Sequence, residues 1–166
     1  MSENRIDGFR FGGLACGIKQ SGNPDLALLL ADEPAAAAAV FTRNRVRAAP
    51  VLLSELRVRS GRSRGVLVNA GNANACTGPA GMSAAETMTR EVAESAGIRE
   101  RSLLVASTGI IGVPLPVEKI VAARAALVAA TSETEEGFDA FSGAILTTDN
   151  GRNFPDPFSG TRAAVH

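Results

Sequence analysis

The chain has no tryptophan and no tyrosine, and its one histidine is the last residue, His166. Two cysteines, Cys16 and Cys76, stand among 166 residues. A terminal histidine does not support Ser-His-Asp or Cys-His catalysis. Two cysteines and one histidine cannot make a zinc site, and two cysteines do not make a disulfide framework. Cys16 and Cys76 therefore read as small buried residues rather than nucleophiles. With Trp and Tyr absent and Phe modest at seven residues, the core is expected to be Ala, Val, Leu and Ile, so elements should pack closely. No apolar run suits a bilayer: the longest, around Leu26 to Val40, is preceded by Asp25 and broken by Asp32, Glu33 and Pro34. Met1-Ser2-Glu3-Asn4-Arg5 lacks the order of a signal peptide. The expectation is a soluble cytoplasmic protein with no membrane contact. An excess of one charge is also missing, with 17 acids against 17 bases, so nucleic acid is not an expected partner. Arg59, Arg62 and Arg64 lie in a Ser/Gly-rich stretch and read as a solvated turn.

What is present is a chain that is 45% apolar and long enough to bury one core. Leu14 to Lys19 and Leu26 to Ala31 read as strands of a hairpin, with Ser21-Gly22-Asn23-Pro24-Asp25 as the turn. The alanine run after Pro34 leads to an expected third strand, Ala39 to Thr42. Ala48 to Arg57 has helical spacing, with Pro50 in the first turn. Gly65 to Asn69 and Leu103 to Ala106 read as short buried strands. Ser83 to Ala96 reads as a helix capped by Ser83, with Glu86 three residues on and Gly97 as its stop. Pro116 to Ala130 and Glu135 to Leu146 carry apolar residues at spacings of three and four. The expected fold is mixed α/β, a layered sheet-and-helix domain over 1–149 with an irregular tail over 150–166. Strands this short would leave sheet edges or layers uncovered without a partner.

Three polar, nearly uncharged segments follow apolar runs. They are Asn69-Ala70-Gly71-Asn72-Ala73-Asn74-Ala75-Cys76-Thr77-Gly78, Ser107-Thr108-Gly109, and Thr147-Thr148-Asp149. Each can be read as turn chemistry, since Asn and Gly satisfy tight turns and Asp149 suits an Asx turn. Each can also be read as a site that offers hydroxyls and backbone N–H groups to a developing oxyanion. In the second segment, a Thr hydroxyl and the next Gly N–H can point at one oxygen, and Gly109 lets the backbone come close. An Asp at a helix C-terminus opposes the macrodipole, which favours a partner for Asp149. The first segment matches neither G-x-x-x-x-G-K-[ST] nor G-x-G-x-x-G, so it is not a phosphate loop.

Together the segments resemble the ornithine acetyltransferase family of arginine biosynthesis, the bifunctional glutamate N-acetyltransferases. The likeness runs over roughly 8–149. It takes in Gly8-Phe9-Arg10, Gly17-Ile18-Lys19, Pro24-Asp25-Leu26-Ala27-Leu28, the stretch from Ala39 through Val51, and the three polar segments in order. It implies a precursor that cleaves itself at an Ala–Thr bond, freeing a Thr nucleophile on a β chain, whose new α-amine can act as base. It implies that the α portion supplies the oxyanion hole, here Thr108 and Gly109, and a substrate-contacting Thr, here Thr148 ahead of Thr147. Acetyl would pass from N-acetylornithine to that Thr and then to glutamate, with no cofactor or metal.

Two departures accompany the likeness. The family's Thr and basic residue after Thr-Thr-Asp are replaced by Asn150-Gly151-Arg152-Asn153, and no Lys-Gly-Ser-Gly-Met lead precedes an Ala–Thr pair. Ala130-Thr131 has the pair without the lead. The expectation is thus an α-subunit equivalent, inactive alone, that joins a β chain in a hetero-oligomer. Its alternatives are part of a related self-processing aminopeptidase, or a binding or scaffold remnant.

Overall fold

A computed structural model describes residues 6–147. In chain order the elements are β1 (Phe9–Leu14), β2 (Leu26–Ala36), α1 (Ala49–Val58), β3 (Arg62–Asn72), α2 (Gly78–Ser95), β4 (Leu103–Ile110), α3 (Val117–Ala129) and α4 (Glu135–Ile145), with a single 3₁₀ turn, Glu100–Ser102, before β4. The mixed α/β expectation holds. The sheet runs β1-β2-β3-β4. The first two pairings are antiparallel and the third, β3 with β4, is parallel. A parallel pair needs a crossover, and α2 supplies it.

The central strand explains its own composition. Leu26-Ala27-Leu28-Leu29-Leu30-Ala31 does not alternate because β2 is covered on both faces. Leu28, Leu67 and Val105 lie side by side across β2, β3 and β4. With Leu26, Leu30 and Leu103 they pack against Leu53, Met88, Val92, Ile120 and Leu127 of α1, α2 and α3. Each fully buried Leu in that layer is worth about 1.5–3 kcal/mol. On the other face Phe11 meets Phe138 and Phe141 of α4 edge-on, at 5.3 and 5.8 Å. That helix sits close because Gly13 has no side chain to strike the Ala140 carbonyl.

Several expected boundaries move, each for a tertiary reason. The first strand is Phe9–Leu14, not Leu14 to Lys19. The chain after Leu14 instead wraps around the buried Asp25 carboxylate, which accepts the N–H groups of Cys16 (2.7 Å), Ile18 (2.6 Å) and Lys19 (2.8 Å). Those donors have no need of a ladder. No strand forms over Ala39 to Thr42, since β2 absorbs the first alanines, through Ala36, after an irregularity between Leu30 and Ala35. Arg62 and Arg64 are not in a solvated turn. They lie on β3 and donate to the Pro34 and Ala31 carbonyls of β2 at 2.6 and 2.9 Å. The helix expected from Ser83 begins at Gly78, five residues earlier, with Thr77 at its cap. There Asn74 donates to the Gly81 carbonyl at 2.8 Å, a long-reach contact that outweighs the weak helix propensity of Gly78 and Gly81. Gly97, at φ +66°, does end α2 as expected.

The two sheet strands expected to be short are long, and their edges are not bare. Ser54 of α1 both donates to the Val105 carbonyl (2.7 Å) and accepts the Val105 N–H (2.9 Å). Arg57 donates to the Leu103 carbonyl at 2.7 Å and pairs with Glu100 at 2.6 Å. Burial pulls the Arg57 pKa down, and Glu100 opposes that shift. At the opposite edge Phe11 and Ser132 exchange backbone hydrogen bonds of 2.8 and 2.9 Å. What stays incompletely covered is a sheet face: Val66, Val68 and Leu104 are half-buried and Ala106 is exposed, on the side away from α1, α2 and α3. Among the described residues no helix is long and apolar enough to cross a membrane.

Ser54→Ala should leave both polar groups of Val105 unpaired at a buried edge. A loss of about 1–3 kcal/mol is expected by denaturant unfolding. An unchanged midpoint would mean that β4 does not depend on α1 for its edge.

Candidate functional site

Parallel register brings two of the polar segments side by side. Asn69, Ala70, Gly71 and Asn72 of β3 lie opposite Ser107, Thr108, Gly109 and Ile110 of β4. The Ser107-Thr108-Gly109 segment is therefore strand, not a turn after a strand. At the end of the pair two glycines touch. Gly109 has φ +131° and Gly71 has φ +102°. A Cβ on Gly109 would collide with the Gly71 backbone, and one on Gly71 would come to 3.1 Å from Ile18 and Lys19. Only residues without side chains allow this approach.

A cleft of about 840 Å³ opens there, and Lys19, Gly71, Asn72, Thr108, Gly109 and Thr147 are among its lining residues. The first two polar segments and Thr147 of the third thus meet at one place. Thr148 and Asp149 lie outside the described residues. Strand alternation sets Thr108 on the same face as Leu104 and Ala106, beside the incompletely covered strip.

Three buried asparagines lie at this end of β3 and just beyond it, and of them Asn72 lines the cleft. Asn69 donates to the Asn72 carbonyl (2.8 Å) and accepts the Ser107 hydroxyl (2.6 Å). Asn72 accepts the Asn74 N–H (2.8 Å) and donates to the Val113 and Pro114 carbonyls (3.2 Å each). Asn74 accepts the Thr77 hydroxyl at 2.9 Å, besides its bond to α2. The turn reading of this segment and the site reading are compatible, because the asparagines serve the turns while Gly71 and Asn72 face the cleft.

The wall formed by Ile18 and Lys19 is the part that sequence reasoning missed. Its anchor is Asp25, fully buried yet charged and placed immediately before an apolar strand. That position was a usable signal, since an Asp is seldom buried unless it is paired. Lys19 donates to the Pro24 carbonyl (2.6 Å) and the Ala144 carbonyl (3.3 Å). Desolvation lowers its pKa, against the pull of Asp25. Lys19 is the sole titratable side chain among the described lining residues. The described lining residues therefore offer hydroxyls, amides, backbone groups and one ammonium, but neither a nucleophile with its own base nor a carboxylate pair. Among the described residues no cluster of His, Cys, Asp or Glu could hold a metal ion.

The remaining candidates lie elsewhere or have other work. Thr131 donates its hydroxyl to the Val128 carbonyl at 2.8 Å, as an end to α3. Cys76 is exposed, at φ +58°, and not buried as expected. Cys16 is half-buried, and its thiol is pushed up to about 12 by burial first, then by Asp25.

The fold and cleft define a layered α/β protein with a donor-rich site whose described lining carries no acidic side chain. The ArgJ family model matches residues 10–154, and the chain belongs to the ArgJ family. The arginine biosynthesis bifunctional protein ArgJ of Geobacter sulfurreducens is 51% identical over 144 residues, 87% of this chain and 36% of that protein. The protein of the same name from Gloeobacter violaceus is 52% identical over 143 residues, 86% of this chain and 35% of that protein. The chain thus spans about a third of the length of these curated relatives. It is similar to the crystal structure of Mycobacterium tuberculosis ornithine acetyltransferase complexed with ornithine, with TM-score 0.85 and 44% identity over 87% of this chain and 78% of that one. For the Bacillus halodurans ArgJ structure the values are 0.83, 39%, 87% and 75%.

Alkylation separates the two cysteines. Because the thiolate is the nucleophile, Cys16 should react with iodoacetamide at pH 8 slower than Cys76 by on the order of tenfold or more. Its rate should still be climbing above pH 9, as expected for a thiol that titrates near 12. Peptide mass spectrometry reads both rates, and equal rates would show that the Asp25 loop does not stay closed.

Proposed function

We propose that this chain is the α portion of an ornithine acetyltransferase that moves acetyl from N-acetylornithine to glutamate. The carrying observation is the placement of Thr108 and Gly109 in a cleft whose described lining holds no nucleophile with its own base, next to an incompletely covered sheet face. In this reading a β chain covers that face and brings an N-terminal Thr to the cleft. Support for a two-part enzyme comes from coverage: the chain accounts for 78% of the solved mycobacterial chain and 36% of the Geobacter protein. The solved chain is therefore much shorter than that full-length relative.

The chemistry follows from the site. The Thr hydroxyl of the β chain attacks the acetyl carbonyl, and its α-amine takes the hydroxyl proton. The carbonyl electrons move onto oxygen. The Thr108 hydroxyl and the Gly109 N–H donate to that oxyanion, where preorganised donors act most strongly. Collapse releases ornithine, which takes the proton, and leaves an acetyl-Thr ester. The glutamate amine then attacks the ester through the same oxyanion, and collapse gives N-acetylglutamate while the amine proton passes by way of the α-amine to the departing Thr oxygen, which restores the free Thr. Thr148, with Thr147 second, contacts the bound amino acid. Residues 1–149 form the working unit, and the chain alone transfers no acetyl.

In the assembled enzyme, Thr108→Ala should lower kcat by on the order of 10²–10³ with a smaller effect on KM. Turnover equal to the parent would remove Thr108 from the oxyanion site. Thr148→Val should instead raise KM for N-acetylornithine by about tenfold or less, the equivalent of one hydrogen bond of roughly 0.5–1.5 kcal/mol. If KM holds while the melting temperature falls, Thr148 is a structural residue and not a substrate contact.

A further inference from the structure

The oxyanion assignment leaves open what holds Thr108 and Gly109 in place. Glycine does not hold itself. With Gly71 and Gly109 both at positive φ, the end of the β3–β4 pair lacks the steric limits that side chains impose. Its geometry must come from neighbouring contacts. The first residue beyond each glycine is Asn72 on β3 and Ile110 on β4, and they lie opposite each other.

After these residues the two segments are tied by backbone bonds. The Ala73 N–H donates to the Ile110 carbonyl, and the Gly112 N–H donates to the Ala75 carbonyl, each at 2.9 Å. Asn72 adds the side-chain tie. Its amide nitrogen reaches both the Val113 and Pro114 carbonyls, and its amide oxygen holds the Asn74 N–H. Val113 and Pro114 belong to the loop that leaves Gly109 and Ile110 and forms a wall of the cleft. On the other side of the pair, Asn69 fixes Ser107, the residue before Thr108. Asn69 also holds the Asn72 carbonyl, so the two amides form one connected clamp. Asn72 is only 4% exposed, and both ends of its amide are engaged inside the protein. Those ends have little capacity left for a substrate.

We infer that Asn72 is a positioning residue for the acetyl-transfer step. By pinning the 110–114 loop it sets the direction in which Thr108 and Gly109 present their donors, without touching the reacting atoms. This rests on the reading of Thr108 and Gly109 as the oxyanion pair. A small misplacement of such donors is expensive in rate, and a shift of about 1 Å can cost 10²-fold.

The test uses this chain assembled with the nucleophile-bearing β chain, with Asn72→Asp and Thr108→Ala measured side by side. Asn72→Asp keeps the acceptor and the shape but turns an oxygen toward the two carbonyls. Its kcat should fall about 10- to 10²-fold, with KM for N-acetylornithine and glutamate within about twofold of the parent. Amide hydrogen exchange should quicken at Gly109 and Ile110 while β2 is unaffected. If Asn72→Asp does not fold, Asn72→Ser, which retains one donor and adds no charge, should show the same split in a milder form. Parent-like kcat in a folded Asn72 variant, with Thr108→Ala slow, would overturn the positioning role and leave the oxyanion pair intact. A KM rise matching the loss of kcat/KM would also overturn it, because Asn72 would then be a substrate contact. Parent-like kcat in Thr108→Ala would remove the oxyanion reading itself, and the role of Asn72 with it.

Discussion

The parallel pairing of β3 with β4 is the constraint on which the other features depend. Parallel strands cannot be joined by a tight turn, so α2 must cross over and lie against the sheet. Once it does, the carboxyl ends of the two strands finish at the same level. Residues far apart in sequence, Gly71 and Gly109, then become neighbours in register. Their contact leaves no room for a Cβ, and the cleft exists where the backbones meet. The loop between β1 and β2 and the residues just after α4 supply further walls through Lys19 and Thr147.

Polar groups are spent where the backbone would otherwise be left unpaired. Asp25 gathers three N–H groups of the loop that replaces a strand. Ser54 and Arg57 act as an extra ladder partner for the outer edge of β4. The asparagines of the first polar segment join β3 to the loop after β4 and to α2. Among the described residues no buried side-chain polar atom lacks a partner. That full pairing matters, because an unmet buried polar group costs about 1–3 kcal/mol. It also leaves the described lining of the cleft rich in donors and without an acidic side chain, a setting that suits stabilising a negative charge that appears only during reaction.

Much of this was readable from the chain. Helices α1, α3 and α4 follow from apolar spacing, and Gly97 ends α2 where a glycine would be expected. The buried runs of β2, β3 and β4 were visible as continuous apolar stretches. The polar segments were visible as glycine- and asparagine-rich ends. Their limits were not. Asn69 to Asn72 and Ser107 to Ile110 have turn-like composition yet are strand, because each chain is the other's ladder partner. Gly78 to Met82 has poor helix propensity yet is helix, because Asn74 reaches across to Gly81. Ala15 to Lys19 has an apolar, strand-like look yet is loop, because a carboxylate from Asp25 takes its donors.

The sequence by itself determined the class of fold, the apolar layers and the residue types available for chemistry. Those depend on local spacing and on composition, both of which a linear chain displays. It also determined the family, since the polar segments occur together and in order. Tertiary structure alone decided which segments share a cleft and which edges are closed. It also decided which face stays incompletely covered. Register, crossover and the close approach of two glycines are relations between distant residues. No local pattern encodes them, because the energy that selects them is released only when both partners are in place.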